Sequence, residues 1–209
     1  MKKMLETGIN IDLKTKGNET PLYYAIIYNR AEVAKWLIEK GADVNIADNN
    51  TGFTVLHHAG YNNNIELVKQ ILSKGANINH KNNLGWSSLM GVARNGKLGM
   101  VKFLVSRGAD VNAVNKWNFS VVLYATDQGH YDIVKLLIEK GANINKASNS
   151  GSTPLHAAAK RNYPKIVKLL LNNGADTNAK TKKGKTPLDI AKDKGSTEVI
   201  KILNEYKRK

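Results

Sequence analysis

Apolar residues recur along this chain in short bursts, separated by polar stretches that carry glycine and asparagine. Within a burst the apolar positions fall three and four apart, as in Leu67, Val68, Ile71 and Leu72, or Ile133, Val134, Leu136 and Leu137. That is the period of a helix with one buried face. The bursts come in pairs. The first of each pair opens on a hydroxyl residue, at Thr20, Thr54, Ser87, Ser120, Thr153 and Thr186, 34 and then 33 residues apart. Proline follows three of them (Pro21, Pro154, Pro187), which is an N-cap hydroxyl ahead of a residue suited to the first helical turn. The burst ends at Asn29, Asn63, Gly96, Gly129, Asn162 or Gly195, the two residue types that best take a left-handed cap. The second burst ends at the glycine of Gly41-Ala42, Gly75-Ala76, Gly108-Ala109, Gly141-Ala142 or Gly174-Ala175. One extra residue falls in "ADNNTG" (47–52), where a loop absorbs it.

Each unit therefore predicts two short helices and a polar loop. Helices of this length are marginal alone, and one pair has an apolar face that only a neighbouring pair covers, so stacking is expected. A single domain over 1–209 divides into a partial unit over 1–14, repeats over 15–48, 49–81, 82–114, 115–147 and 148–180, and a capping repeat over 181–209. Met4 and Leu5 are expected to form a remnant helix on the first full unit. Asp189, Lys192, Asp193 and Lys194, with the closing Lys207-Arg208-Lys209, give the last unit the polar outer face a terminal repeat needs.

The segment "TPLHAAAKRNYPKIVKLLLNNGADTNAK" (153–180) resembles an ankyrin repeat almost residue for residue, and "SRGADVNA" (106–113) resembles its closing part. The resemblance covers essentially the whole chain. It implies an all-α fold of helix–turn–helix units joined by β-hairpin fingers and stacked into a curved solenoid with a concave face. It also implies a non-enzymatic protein that binds other proteins. The departures lie mostly in the middle units. Proline of the Thr-Pro-Leu-His motif becomes Val55, Ser88 and Val121, and histidine becomes Tyr23, Met90, Leu123 and Asp189.

Composition narrows the chemistry. No cysteine is present, so disulfides, thiolate metal sites and thiol nucleophiles are excluded. No run of 18 apolar residues occurs, and the basic start leads into no apolar stretch; a membrane span and a secretory signal are not expected. A cytoplasmic location follows, or the host cytosol if the chain is an effector secreted by a bacterium living within a host. The net charge is +15, carried by 27 lysines and only 5 arginines, with asparagine abundant. An AT-rich coding bias accounts for that skew as well as function does. The excess is uneven: residues 142–209 hold 15 basic and 5 acidic side chains, residues 1–141 hold 17 and 12.

His57 and His156 occupy the motif histidine, which the resemblance assigns to bonding neighbouring backbone. His57 and His58 point about 100° apart on one helix and do not share a metal; His80 and His130 sit in separate units. No phosphate loop, catalytic triad or carboxylate pair is evident, and no cofactor or metal is expected. Lys35, Lys69, Lys102, Lys135, Lys168 and Lys201 recur on the second helix as a solvated ridge. As a nucleic-acid or acidic-membrane surface this ridge is disfavoured, because arginine and stacking aromatics are scarce there. Trp36 and Phe103, beside it, are expected between helices.

The residue before each opening Thr or Ser is Glu19, Phe53, Trp86, Phe119, Ser152 and Lys185. In ankyrin repeats this slot lies at the finger base, facing the groove. Phe53, Trp86, Phe119 and Trp117 are thus expected as an apolar centre, with Leu84, Tyr61 and Arg94 beside it. Lys160, Arg161, Lys182, Lys183 and Lys185 add a basic flank suited to an acidic segment of the partner. Five large rings, half covered, would leave about 400–600 Å² exposed, at the upper end for a soluble monomer. The expected protein is a monomer that binds another protein; charge-driven binding of nucleic acid or acidic membrane is the alternative.

Overall fold

The computed structural model describes residues 10–206. Met4 and Leu5, and Lys207 to Lys209, lie outside the described residues. Among those described, twelve helices follow one another in six pairs. They are α1 (Pro21–Ile27) with α2 (Ala31–Glu39), α3 (Val55–Tyr61) with α4 (Ile65–Ser73), and α5 (Ser88–Arg94) with α6 (Leu98–Ser106). Then come α7 (Val121–Asp127) with α8 (Tyr131–Glu139), α9 (Pro154–Arg161) with α10 (Pro164–Asn172), and α11 (Pro187–Asp193) with α12 (Thr197–Tyr206).

The helix limits follow from the caps. Thr20 Oγ1 accepts from the Tyr23 N–H at 3.2 Å, and Ser120 Oγ from the Leu123 N–H at 3.2 Å. Thr54 and Thr153 make reciprocal caps in which the third helical residue is histidine; in the last repeat Asp189 does the same for Thr186. All six stop positions of the first helices have positive φ, from 52° at Asn29 to 78° at Gly129. Asparagine and glycine are the residues that bear that conformation with least strain.

The described residues form two compact units, 10–92 with 103–109, and 93–102 with 110–206. In the first, α1 packs on α2 and α3, and α4 on α2 and α3. Its core holds Leu22, Ile26, Leu37, Ile38, Leu56, Ile71, Leu89 and Leu104. In the second, α9 packs on α7, α10 and α11, and α10 on α8 and α12, around Leu123, Ile133, Leu155, Val167 and Leu170. Fully burying each such side chain contributes roughly 1.5–3 kcal/mol, which explains why paired short helices persist.

The fingers differ from the hairpins expected. Among the described residues, strand pairing is limited to isolated antiparallel bridges, Ala47 with Thr54 and Val114 with Ser120. In three fingers one polar side chain gathers the tip donors. Asn82 Oδ1 accepts from the Leu84 and Trp86 N–H groups at 2.9 Å each, and Asn115 Oδ1 from Trp117 and Phe119 at 3.0 Å each. Asp48 accepts from the backbone of Asn50, Thr51 and Phe53. A carboxamide or carboxylate that takes several tip donors replaces the strand ladder.

A second device links repeats. Asn45 Nδ2 donates to the Gly75 carbonyl at 3.1 Å while its Oδ1 accepts from the Asn77 N–H at 2.9 Å. Asn145 repeats both bonds with Gly174 and Asp176, at 3.0 and 2.9 Å. Asn79 and Asn112 donate likewise to Gly108 and Gly141. These asparagines are structural, so coding bias alone does not account for their abundance. Asp12 holds the same slot at the start, accepting from the Asp43 N–H at 3.0 Å.

Candidate functional site

The residues proposed from sequence fall on both units. The first unit holds Phe53, Tyr61, Leu84 and Trp86. Phe53 is half-buried, its ring 5.1 Å from that of His57 and 5.4 Å from that of His58. Trp86, also half-buried, is held through its backbone. Its N–H meets Asn82 Oδ1, its carbonyl accepts from the Asn82 N–H at 2.9 Å, and His57 Nε2 reaches the same carbonyl at 3.1 Å. Leu84 stands on the finger tip with 47% of its surface exposed, and Tyr61, last residue of α3, with 64%.

The second unit holds the rest. Phe119 is half-buried, its ring 5.3 Å from that of Tyr124. Trp117 is 47% exposed in the tip position that Leu84 occupies one repeat earlier. Its backbone is fixed from both sides: its N–H donates to Asn115 Oδ1, and its carbonyl accepts from the Asn149 N–H at 2.9 Å. Arg94 is exposed at the end of α5.

The basic flank divides in two. Lys160, Lys182 and Lys183 are exposed. Arg161 forks onto Asp127 with Nε–Oδ1 at 2.9 Å and Nη2–Oδ2 at 3.0 Å, and Lys185 lies 3.4 Å from Asp193. Two of the five expected cations therefore have carboxylates of their own chain beside them.

The exposed apolar surface is consequently distributed differently from the sequence expectation. The rings at Phe53, Trp86 and Phe119 are half-covered, whereas Tyr61, Leu84 and Trp117 are more open. Tyr24 and Ile27, which the sequence reading passed over, are exposed on α1, as Tyr28 is just after it, with Tyr24 and Tyr28 stacked at 6.1 Å. Their i, i+3, i+4 spacing on one helix face was the available signal.

The histidines act within the fold. His57 Nδ1 accepts from the Thr54 N–H at 3.2 Å while Nε2 faces the Trp86 carbonyl, so the proton resides on Nε2. Burial pushes His57 down to about 4, and lowers His58 and His156 as well. His156 spans from Thr153 to the Lys185 carbonyl, at 3.0 Å, in the same way. Tyr23, in the histidine slot of the first repeat, is pushed up to about 12 by burial and by the charge of Asp48. Among the described residues no group of three or more His, Asp or Glu is placed to hold a metal ion, and no helix is long and apolar enough to cross a membrane.

Two of the second-helix lysines have glutamates beside them. Lys35 pairs with Glu32 at 3.0 Å and Lys69 with Glu66 at 2.6 Å. Lys168 instead follows Lys165 at that spacing. Trp36 and Phe103 are half-buried, and the Arg107 guanidinium lies 5.2 Å from the Phe103 ring centre.

A family model described as ankyrin repeats (3 copies) matches residues 1–82, 56–148, 89–181 and 143–209. An ankyrin repeat protein of Fowlpox virus (strain NVSL) is 38% identical over 48 residues, which is 23% of this chain. The match spans about a quarter of that relative's length, 26%.

Proposed function

The chain belongs to the ankyrin-repeat family, and on that premise we propose that it is a non-enzymatic module that holds a partner protein on the exposed apolar residues of its fingers and first-helix ends. Ankyrin repeats mediate protein–protein interaction generally; the residues that do so here are our reading. The observation that carries it is the pair Leu84 and Trp117. Each occupies the same finger-tip slot, each is 47% exposed, and each stands on backbone pinned by an asparagine side chain. A large apolar group held rigid in water loses little further entropy when a partner covers it. Tryptophan, tyrosine and arginine are also the types that dominate interface energetics, which adds Tyr61, Trp86 and Arg94, with Phe53 and Phe119 as half-covered support. Lys160, Lys182 and Lys183 favour an acidic segment of the partner. Arg161 and Lys185 contribute less, because Asp127 and Asp193 already offset them. Binding as a monomer, in the cytoplasm or a host cytosol, completes the proposal.

The test is a pull-down of partner proteins with wild type beside two variants, Trp117→Ala and Trp86→Ala/Phe119→Ala, at 50 and 200 mM salt. The expected result is a protein retained by wild type at both salt concentrations and lost from both variants. Full retention by the variants overturns the aromatic reading. Retention that collapses with salt in wild type assigns binding to charge and hence to phosphate-bearing partners.

A further inference from the structure

Neighbouring finger tips are joined by backbone hydrogen bonds, each tip donating to the one before it. In the first unit the Asn49 N–H donates to the Gly17 carbonyl at 2.8 Å and the Asn83 N–H to the Thr51 carbonyl at 2.9 Å. In the second unit the Asn149 N–H donates to the Trp117 carbonyl and the Lys182 N–H to the Ser150 carbonyl, both at 2.9 Å. The accepting carbonyl always belongs to the residue just before the tip position of positive φ, which is Asn18, Gly52, Asn118 or Gly151.

The last finger keeps this turn, and among the described residues no further finger follows it. Its Gly184 N–H donates to the Thr181 carbonyl at 2.8 Å, just as the Gly151 N–H donates to the Ser148 carbonyl at 2.8 Å one repeat earlier. The φ values agree, 72° at Gly184 and 79° at Gly151. The carbonyl equivalent to that of Ser150 is therefore that of Lys183, and no N–H of the described residues donates to it. The room a following tip would take is open as well. A Cβ built on Gly151 would meet Thr181 Cα at 2.8 Å and Lys182 N at 2.9 Å, the backbone of the next finger. One built on Gly184 would meet no described atom within 4 Å. An edge with an unused acceptor is a place where another chain can pair.

Charge selects the occupant. Lys180, Lys182, Lys183 and Lys185 are all exposed on this finger, and among the described residues only Lys185 has a carboxylate beside it, that of Asp193. The Asp189 carboxylate is engaged in capping Thr186. A second copy of this chain would bring a first finger with Lys14 and Lys16, and like charges across a contact are unfavourable. We propose that the last finger is extended in trans by an acidic segment of a partner protein, one of whose backbone N–H groups donates to the Lys183 carbonyl while its Asp or Glu side chains meet Lys180, Lys182 and Lys183. This rests on the protein-binding reading above and gives the basic flank a mode of recognition. Backbone pairing sets the register of the segment, and the lysines set its sign. A phosphate chain supplies negative charge without the peptide N–H that the acceptor takes.

The probe is a displayed library of random twelve-residue peptides selected on the full wild-type chain. Selected peptides are expected to be acidic, and to bind Lys182→Glu/Lys183→Glu about tenfold more weakly or worse. Synthetic copies of one such peptide, each with a single N-methylated amide, are expected to lose about tenfold at one position beside an acidic residue and little elsewhere. Acidic peptides that tolerate N-methylation at every position overturn the backbone pairing and reduce the flank to charge alone. Peptides that bind Lys182→Glu/Lys183→Glu fully but lose Trp117→Ala overturn the proposal and leave the protein-binding surface standing. Failure to select any peptide overturns both. A second measurement needs no variant: the unmodified peptide should shift the carbonyl carbon resonance of Lys183 and leave that of Ser150, already bonded to the Lys182 N–H, near its free position. Equal shifts at both, or none at Lys183, overturn the proposal.

Discussion

The two compact units share one set of internal joints and differ in what they present to solvent. In residues 10–92 and 103–109 there are 9 basic and 7 acidic side chains; in 93–102 and 110–206 there are 18 and 9. The first unit pairs its ridge lysines with glutamates and carries Tyr24, Ile27, Tyr28, Tyr61 and Leu84 exposed. The second unit carries Trp117 and a lysine-rich last finger. Yet Asn45 and Asn145 make the same two bonds, and His57 and His156 the same bridge from cap to next finger. Scaffold and surface are thus encoded in separate slots, and either can vary while the other is kept.

Acid tests the first unit's joint most sharply. His57 titrates near 4 in the fold and near 6.5 when unfolded. Its folded value is the lower, so protons favour the unfolded chain: its contribution is complete above about pH 6.5 and is lost as pH falls toward 4. That shift corresponds to about 3 kcal/mol. Urea denaturation at pH 7, 5.5 and 4 should show the loss, and His57→Gln should flatten it. Equal slopes for wild type and variant would remove His57 as the cause.

If the joints are truly equivalent, Asn45→Ala and Asn145→Ala should each destabilise by about 1–1.5 kcal/mol, since each removes two solvent-exposed hydrogen bonds to backbone. A cost confined to one of them, measured by the same denaturation, would break the equivalence. Gly91→Ala should raise stability by about 1 kcal/mol, because the helix gains propensity with nothing to collide with; a lower melting temperature would refute that reading of the space. Smallest is Arg161→Ala. Its pairing with Asp127 is exposed, so stability should fall by less than about 1 kcal/mol. A double-mutant cycle with Asp127→Ala checks it.

Much of the local structure was legible because it depends on adjacent residues. The hydroxyl caps, the Asn or Gly stops with positive φ and the Gly-Ala ends each follow from the chemistry of one or two neighbours. Finger form was less legible: the polar residue that gathers the tip amides, Asp48, Asn82 or Asn115, replaces strand pairing with a side-chain turn. The asparagine joints recur at the repeat spacing yet read as composition, since the carbonyl each one meets lies about one repeat further on. The candidate surface was readable as positions but not as exposures. Phe53 and Phe119 lean on His58 and Tyr124, and Arg161 is met by Asp127, 34 residues away.

By itself the sequence determined the register of six helix pairs, where each first helix starts and stops, and which slots carry rings or charges. Those are decided by local dihedral preference and by a period that any stretch of two repeats displays. Tertiary structure decided which of those side chains are covered and which cations have their own carboxylates. Such outcomes depend on distances between residues five apart around a cap, or some thirty apart across repeats, and only the packed backbone sets them.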